Sequence, residues 1–221
     1  MEFQTLKMTL ADRVDFFERQ FQRQVRETDF ALNPFEQLAL SYVAGSVLDL
    51  GCGLGNLSLE SARRGCSVTA VDASPTAVER VRATALHERL PLEALQADLG
   101  CFRIEQDYDT IVAIGLLMFF RKQQALRLLR QIEQRVRPGG RAIVNVLVEG
   151  TTYLGMFKPD EYYLFAANEL EQAFAGWTLL VARRDSFPAP EGTRKEFTTV
   201  IVQKTQSQPP GGPIQARPDR R

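Results

Sequence analysis

Val47-Leu48-Asp49-Leu50-Gly51-Cys52-Gly53-Leu54-Gly55-Asn56 decides the architecture. Val47–Leu50 is a short apolar run with one acid, as a buried parallel strand requires, and it ends in three alternate glycines. Glycine lets backbone approach a ligand closely, and a helix opening at Asn56 presents free N–H groups to polar or anionic atoms. That helix runs to Arg64 and stops at Gly65. The loop is not a dinucleotide fingerprint, because the third helix-opening glycine is replaced by Asn56.

The same alternation continues outward. Ser67–Val71 reads as a second strand, and Ser74-Pro75 as an N-cap with proline at the first helical position, opening a helix to about Glu88. Leu92–Ala97 and Thr110–Ile114 are strands three and four. Lys122–Val136 carries Ala125, Leu128, Leu129 and Ile132 on one helical face and is stopped by Arg137-Pro138-Gly139-Gly140. Arg141–Val148 is the fifth strand. Strands alternating with helices imply parallel βαβ units and an α/β fold, a doubly wound sheet with helices on both faces. The end differs: a helix near Asn168–Ala175 precedes β-rich runs at Thr178–Ala182 and Phe197–Gln203. These add an antiparallel hairpin and bring the sheet to seven strands.

Before the sheet, Val14, Phe17, Phe21 and Val25 recur at helical spacing over roughly 11–27. Asn33-Pro34-Phe35-Glu36 reads as a capping box opening a second helix to about Ala44. Residues 1–45 are therefore expected to form a helical cap, 46–205 the sheet domain, and 206–221 a disordered tail, with four prolines and Ile214 as its single aliphatic side chain.

Composition narrows the function. The chain has 221 residues, 44% hydrophobic and 24% charged, with 27 basic and 27 acidic side chains. That balance offers no global field for nucleic acid or an anionic membrane. Cys52, Cys66 and Cys101 fit neither a zinc knuckle nor a disulfide framework, and His87 is the single histidine, so no metal is expected. With no leader and no long apolar run, the expectation is a soluble, cytoplasmic protein, monomeric or homodimeric, acting on a small molecule.

Three acids mark the strand ends: Asp49 before the glycine turn, Asp72 after strand two and Asp98 after strand three. In such sheets the C-terminal strand ends form the ligand crevice. With Pro138-Gly139-Gly140 and the terminal hairpin, the chain over about 35–204 resembles the class I S-adenosylmethionine-dependent methyltransferases, whose sheet is Rossmann-like. The resemblance implies that Asp49 and the Gly51 and Gly53 backbone hold the methionine moiety, with Cys52 in the same loop. It implies Asp72, followed by Ala73, for the ribose, Asp98 and Leu99 for the adenine, and Ile114 with Gly115 along the methionine. Cys52 itself reads as a packing residue and His87 as a solvated one.

Leu117-Met118-Phe119-Phe120 after strand four, Phe165–Phe174 leading to Gly176-Trp177, and Phe197–Ile201 are similar to the tellurite-resistance (TehB-like) methyltransferases. That family implies a soft nucleophile as acceptor: a thiol, a chalcogen oxyanion or a related small molecule. Its histidine in the last loop is missing from 185–196 here, which leaves Arg183, Arg184, Arg194 and Lys195 either as anion contacts or as solvated charges. Arg184 and Arg194 are expected to flank that loop and converge on the acceptor. Tyr153, Met156, Phe157, Tyr162, Tyr163 and Phe165 either wall the acceptor pocket or pack on the N-terminal helices; Phe16, Phe17, Phe21 and Phe119 are further wall candidates. No catalytic base stands out. Two other functions compete with methyl transfer: a non-catalytic cofactor-binding regulator, against which the three acids stand, and a nicotinamide oxidoreductase, against which Asn56 stands.

Overall fold

The computed structural model describes residues 10–27 and 30–206, with side chains from Phe17 onward. The side chains of Val14 and Phe16 and the tail beyond Gln206 lie outside the described residues. Seven strands form one sheet: β1 (Ser46–Leu50), β2 (Ser67–Asp72), β3 (Leu92–Gln96), β4 (Tyr108–Ile114), β5 (Val136–Leu147), β6 (Thr178–Pro188) and β7 (Arg194–Gln203). Their order is β3-β2-β1-β4-β5-β7-β6. The first five are parallel, and β7 runs antiparallel to both β5 and β6. The winding reverses between β1 and β4, which opens a crevice at their C-terminal ends.

The helices are α1 (Leu10–Glu27), α2 (Pro34–Leu40), α3 (Asn56–Arg63), α4 (Pro75–Glu88), α5 (Lys122–Arg135) and α6 (Glu169–Ala173). On one face Val47, Val68, Val112, Ile143 and Ile201 meet Ala39 and Leu40 of α2 and Leu57 and Ala62 of α3. Ala70 and Ala94 meet Val78 and Val81 of α4. On the other face Leu48, Ile111, Ala113 and Val144 meet Ala125, Leu128, Leu129 and Ile132, the stripe expected of α5. Among the described residues no helix is long and apolar enough to cross a membrane.

The capping box of α2 is present: Asn33 Oδ1 accepts from the amides of Phe35 and Glu36, and Glu36 Oε2 accepts from the Asn33 amide at 2.8 Å. The helix ends at Leu40 rather than near Ala44, because the chain must turn at Gly45 (φ +70°) to enter β1. A Cβ at Gly45 would collide with the Asp109 side chain.

Pro138-Gly139-Gly140 does not separate α5 from β5. Strand pairing starts at Val136, opposite Tyr108, and the register bulges before resuming at Arg141 opposite Thr110. Lys204 Nζ donates to the carbonyls of Glu133, Gln134 and Val136, giving the C-terminus of α5 the cation that its dipole favours. The terminal hairpin is longer than its hydrophobic pattern: residues 183–188 pair with 194–199, so only 189–193 remain as a turn. An edge strand faces solvent and tolerates the charges that made this stretch look like a loop.

Candidate active site

The crevice is a cavity of about 300 Å³. Gly51, Asp72, Ala73, Ser74, Asp98, Leu99 and Gly115 line its sheet side. Gly51 and Cys52 donate their amides to Val71 O at 2.8 and 3.1 Å, folding the loop over the end of β2. Gly115 has φ +65°, and a Cβ there would project into open space at the cavity wall. Backbone thus forms that surface where a side chain would fill it.

Asp72 ends β2. Its Oδ2 accepts from the Gly53 amide at 2.8 Å and its Oδ1 from the Ser74 amide at 2.9 Å. Burial pushes its carboxyl up, and these amide contacts oppose the rise. Each oxygen keeps a second lone pair for a further donor. Asp98 follows β3, and its Oδ1 accepts from the Gly100 amide at 2.8 Å.

Asp49 is placed differently. It is buried below the cavity wall, and its Oδ2 accepts from Ser58 Oγ of α3 at 2.6 Å. Burial pushes its carboxyl up to about 7, opposed by Ser58 and reinforced by repulsion from Glu36 and Asp72. Cys52 is buried with Sγ 3.5 Å from Gly53 O, and burial pushes its thiol well above the usual range. A thiol held protonated is inert as a nucleophile. Gly53 and Ile114 likewise stay behind the lining, with the Phe21 ring edge 3.3 Å from the position of a Gly53 Cβ.

The other side of the cavity is aromatic. Phe17 and Phe21 of α1, Leu116, Phe119 and Phe120 after β4, and residues 155–158 with Glu161 complete the lining. Phe17 meets Phe119 at 4.9 Å, Phe119 meets Phe157 at 5.1 Å, and Phe157 stacks on Tyr162 at 4.7 Å. The aromatic segment therefore walls the cavity, with Phe119 standing between Phe157 and Phe17 of α1. Glu18 secures that helix by accepting from Ser74 Oγ at 2.5 Å and from Thr76 Oγ1. Lys158, Glu161 and Glu18 carried no sequence signal, since loop charges and a helix-face acid look like ordinary solvated groups. Glu161 pairs with Arg121 at 3.3 Å.

Three expected acceptor contacts lie elsewhere. Arg184 belongs to β6, opposite Thr198, with Nη2 3.5 Å from Ala167 O. Arg194 opens β7 and pairs with Glu196 at 3.1 Å. Neither lines the cavity, because both are strand residues rather than the ends of a short loop. Tyr153 is also outside the lining and sits under the Lys195 ammonium at 4.8 Å. His87 is exposed near the end of α4.

The sequence of residues 47–140 matches the family model described as a methyltransferase domain. The chain is 34% identical over 133 residues to Hemagglutinin 1 of Eikenella corrodens, covering 60% of this chain and 44% of that protein. It is 27% identical over 135 residues to the probable S-adenosyl-L-methionine-dependent methyltransferase TehB of Haemophilus influenzae, covering 61% and 46%. The chain thus spans under half the length of these curated relatives. The crystal structure of Haemophilus influenzae TehB superposes with a TM-score of 0.69 at 21% identity, over 87% of this chain and 67% of that one. Residues 47–140 are thus similar in sequence to a methyltransferase domain, and the chain shares the fold of TehB.

Proposed function

We propose that this protein transfers a methyl group from S-adenosylmethionine to a small, soft nucleophile such as a thiol or a chalcogen oxyanion. The residues present fit the cofactor. Gly115 leaves backbone-walled space for the methionine portion beside Gly51, Asp72 offers lone pairs to ribose hydroxyls, and Asp98 with Leu99 faces the adenine. Three carboxylates against one lysine among the lining residues favour a cationic group. Asp49 acts on this reading from behind the wall, holding β1 to α3 under the methionine subsite.

The cofactor, when bound, supplies the activated methyl and its leaving group. The chain supplies position and dryness. Phe17, Phe119 and Phe157 enclose the acceptor half, so a nucleophile held there is desolvated and aimed along the line of displacement. One observation carries the choice of acceptor: on this reading Asp72 and Asp98 are given to the cofactor, and among the described residues no histidine lines the cavity. Asp72 and Asp98 hold backbone amides and Glu161 pairs with Arg121. An acceptor that arrives as an anion needs no base, which is the property of thiolates and oxyanions. Three free thiols suit a reducing compartment, and the reading is of a cytoplasmic enzyme.

A labelled-methyl assay across thiols, selenite, tellurite, thiopurines, amines and catechols tests this. Transfer to thiols above the oxyanions is expected, since the family's loop histidine is missing. Transfer to amines or catechols alone would overturn the acceptor reading. Tight cofactor binding with no transfer to any acceptor would favour the regulatory alternative.

A further inference from the structure

The connection from β3 to β4, residues 97–107, has no regular structure, yet α5 holds its backbone at successive points. Gln124, Arg127 and Gln131 recur at i, i+3 and i+7 and so share one side of the helix. The Arg127 guanidinium donates to Gly100 O, and Gln124 Nε2 lies 3.5 Å from the same oxygen. Gln131 Nε2 donates to Phe102 O at 3.3 Å, while its Oε1 accepts from the Ile104 amide at 2.9 Å. Gly100 is therefore grasped at both polar groups: α5 takes the carbonyl and Asp98 Oδ1 takes the amide.

We propose that Arg127, supported by Gln124 and Gln131, is a positioning residue for nucleobase recognition. It fixes the 98–101 turn so that the Asp98 carboxylate meets the exocyclic amino group of adenine. This rests on the reading of Asp98 as the adenine contact. Removing the guanidinium leaves a part-buried carbonyl without its charged donor, and the turn can relax around it. Asp98 then keeps its charge and loses its aim.

Aim and mere rigidity separate experimentally. A carboxylate in place accepts from the amino group of adenine and repels the exocyclic carbonyl oxygen that takes its place in hypoxanthine. A well-aimed Asp98 therefore prefers S-adenosylhomocysteine to S-inosylhomocysteine, whereas a loosened fold weakens both alike. Calorimetric dissociation constants for both nucleosides are measured on the full chain and on D98N, R127M and R127K. The expected result is a wild-type preference for adenine that collapses in D98N, falls about tenfold in R127M and is largely kept in R127K. An unchanged ratio in R127M, or equal weakening of both ligands, with the ratio still collapsing in D98N, overturns the positioning role alone. An unchanged ratio in D98N overturns the adenine contact and the inference with it. If R127M lacks a cooperative melt, the Q124A/Q131A double variant is read by the same criteria.

Discussion

Phe17 meets Phe119 edge-on, the ring planes at 90° and the centroids 4.9 Å apart. The contact joins α1, far upstream in the chain, to the turn that follows β4, so the aromatic side of the cavity is built from both. Edge-to-face geometry sets the positive ring edge against the negative face, worth about 0.5–1.5 kcal/mol beyond the area buried. Phe157 continues the same wall from a third segment.

Replacing Phe157 with Ala should open that wall. Acceptor kcat/KM is expected to fall about tenfold, through loss of packing against Phe119 and admission of water. The dissociation constant of S-adenosylhomocysteine should move less than about threefold, because the acids at the strand ends are untouched. Steady-state kinetics beside calorimetry checks the split.

The cofactor itself is the plainest test. Isothermal titration should show saturable binding of S-adenosylmethionine and S-adenosylhomocysteine at one site and no binding of NADH. The reverse pattern would remove the basis of the methyl-transfer reading.

Asp72→Ala should weaken cofactor binding by about 30-fold, the loss of one to two charge-assisted hydrogen bonds. It should also destabilise the protein, because the Gly53 and Ser74 amides lose their acceptor. A buried amide without a partner costs about 1–3 kcal/mol. The melting temperature should therefore fall together with affinity; an unchanged dissociation constant in the variant would contradict the ribose contact.

Asp49 sets a pH dependence. Its folded carboxyl is raised to about 7, against about 3.9 in an unfolded chain. Between those values the folded state binds more protons, so this group's contribution is greatest below about pH 4 and declines as pH rises to about 7. Asp49→Asn removes the decline and retains an acceptor for Ser58. The variant should gain stability over wild type as pH rises, by at most about 4 kcal/mol. Urea midpoints at about pH 5 and 8 would show no such divergence if the carboxyl titrated normally.

The Arg184→Gln, Arg194→Gln double variant should keep wild-type acceptor kinetics. Both guanidinium groups sit on hairpin strands, one beside Ala167 O and the other on Glu196. A raised acceptor KM would return the hairpin to the acceptor site.

The parallel half of the fold was legible because its signals are local. Val47–Leu50 is apolar on both sides, Ser74-Pro75 is a cap, and the α5 stripe repeats at helical spacing, so each element could be read within its own window. The edge of the sheet was not. Arg183, Arg184 and Asp185 lie in a strand whose outer neighbour is water, and their pairing with Thr199, Thr198 and Phe197 is a long-range fact. The Pro-Gly-Gly stretch misled for a related reason: it both follows a helix and bulges within a strand, and composition does not separate the two. At the site, the strand-end acids Asp72 and Asp98 and the aromatics Phe17, Phe119 and Phe157 were visible. Asp49 was recognised by spacing, yet its side chain turns into α3, a direction fixed by strand parity and the serine it meets.

The cavity lining is drawn from separate stretches of the sequence. Gly51, Asp72, Asp98 and Gly115 fall within the 47–140 segment, whereas Phe17, Phe21 and residues 155–161 lie before or after it. On the proposed reading the donor side therefore comes from the matched segment, and the acceptor side is shared between Phe119 of that segment and the elements that flank it. On that reading a graft of α1 and the 149–165 segment between related chains shifts the choice of recipient while the grip on the donor stays as it was.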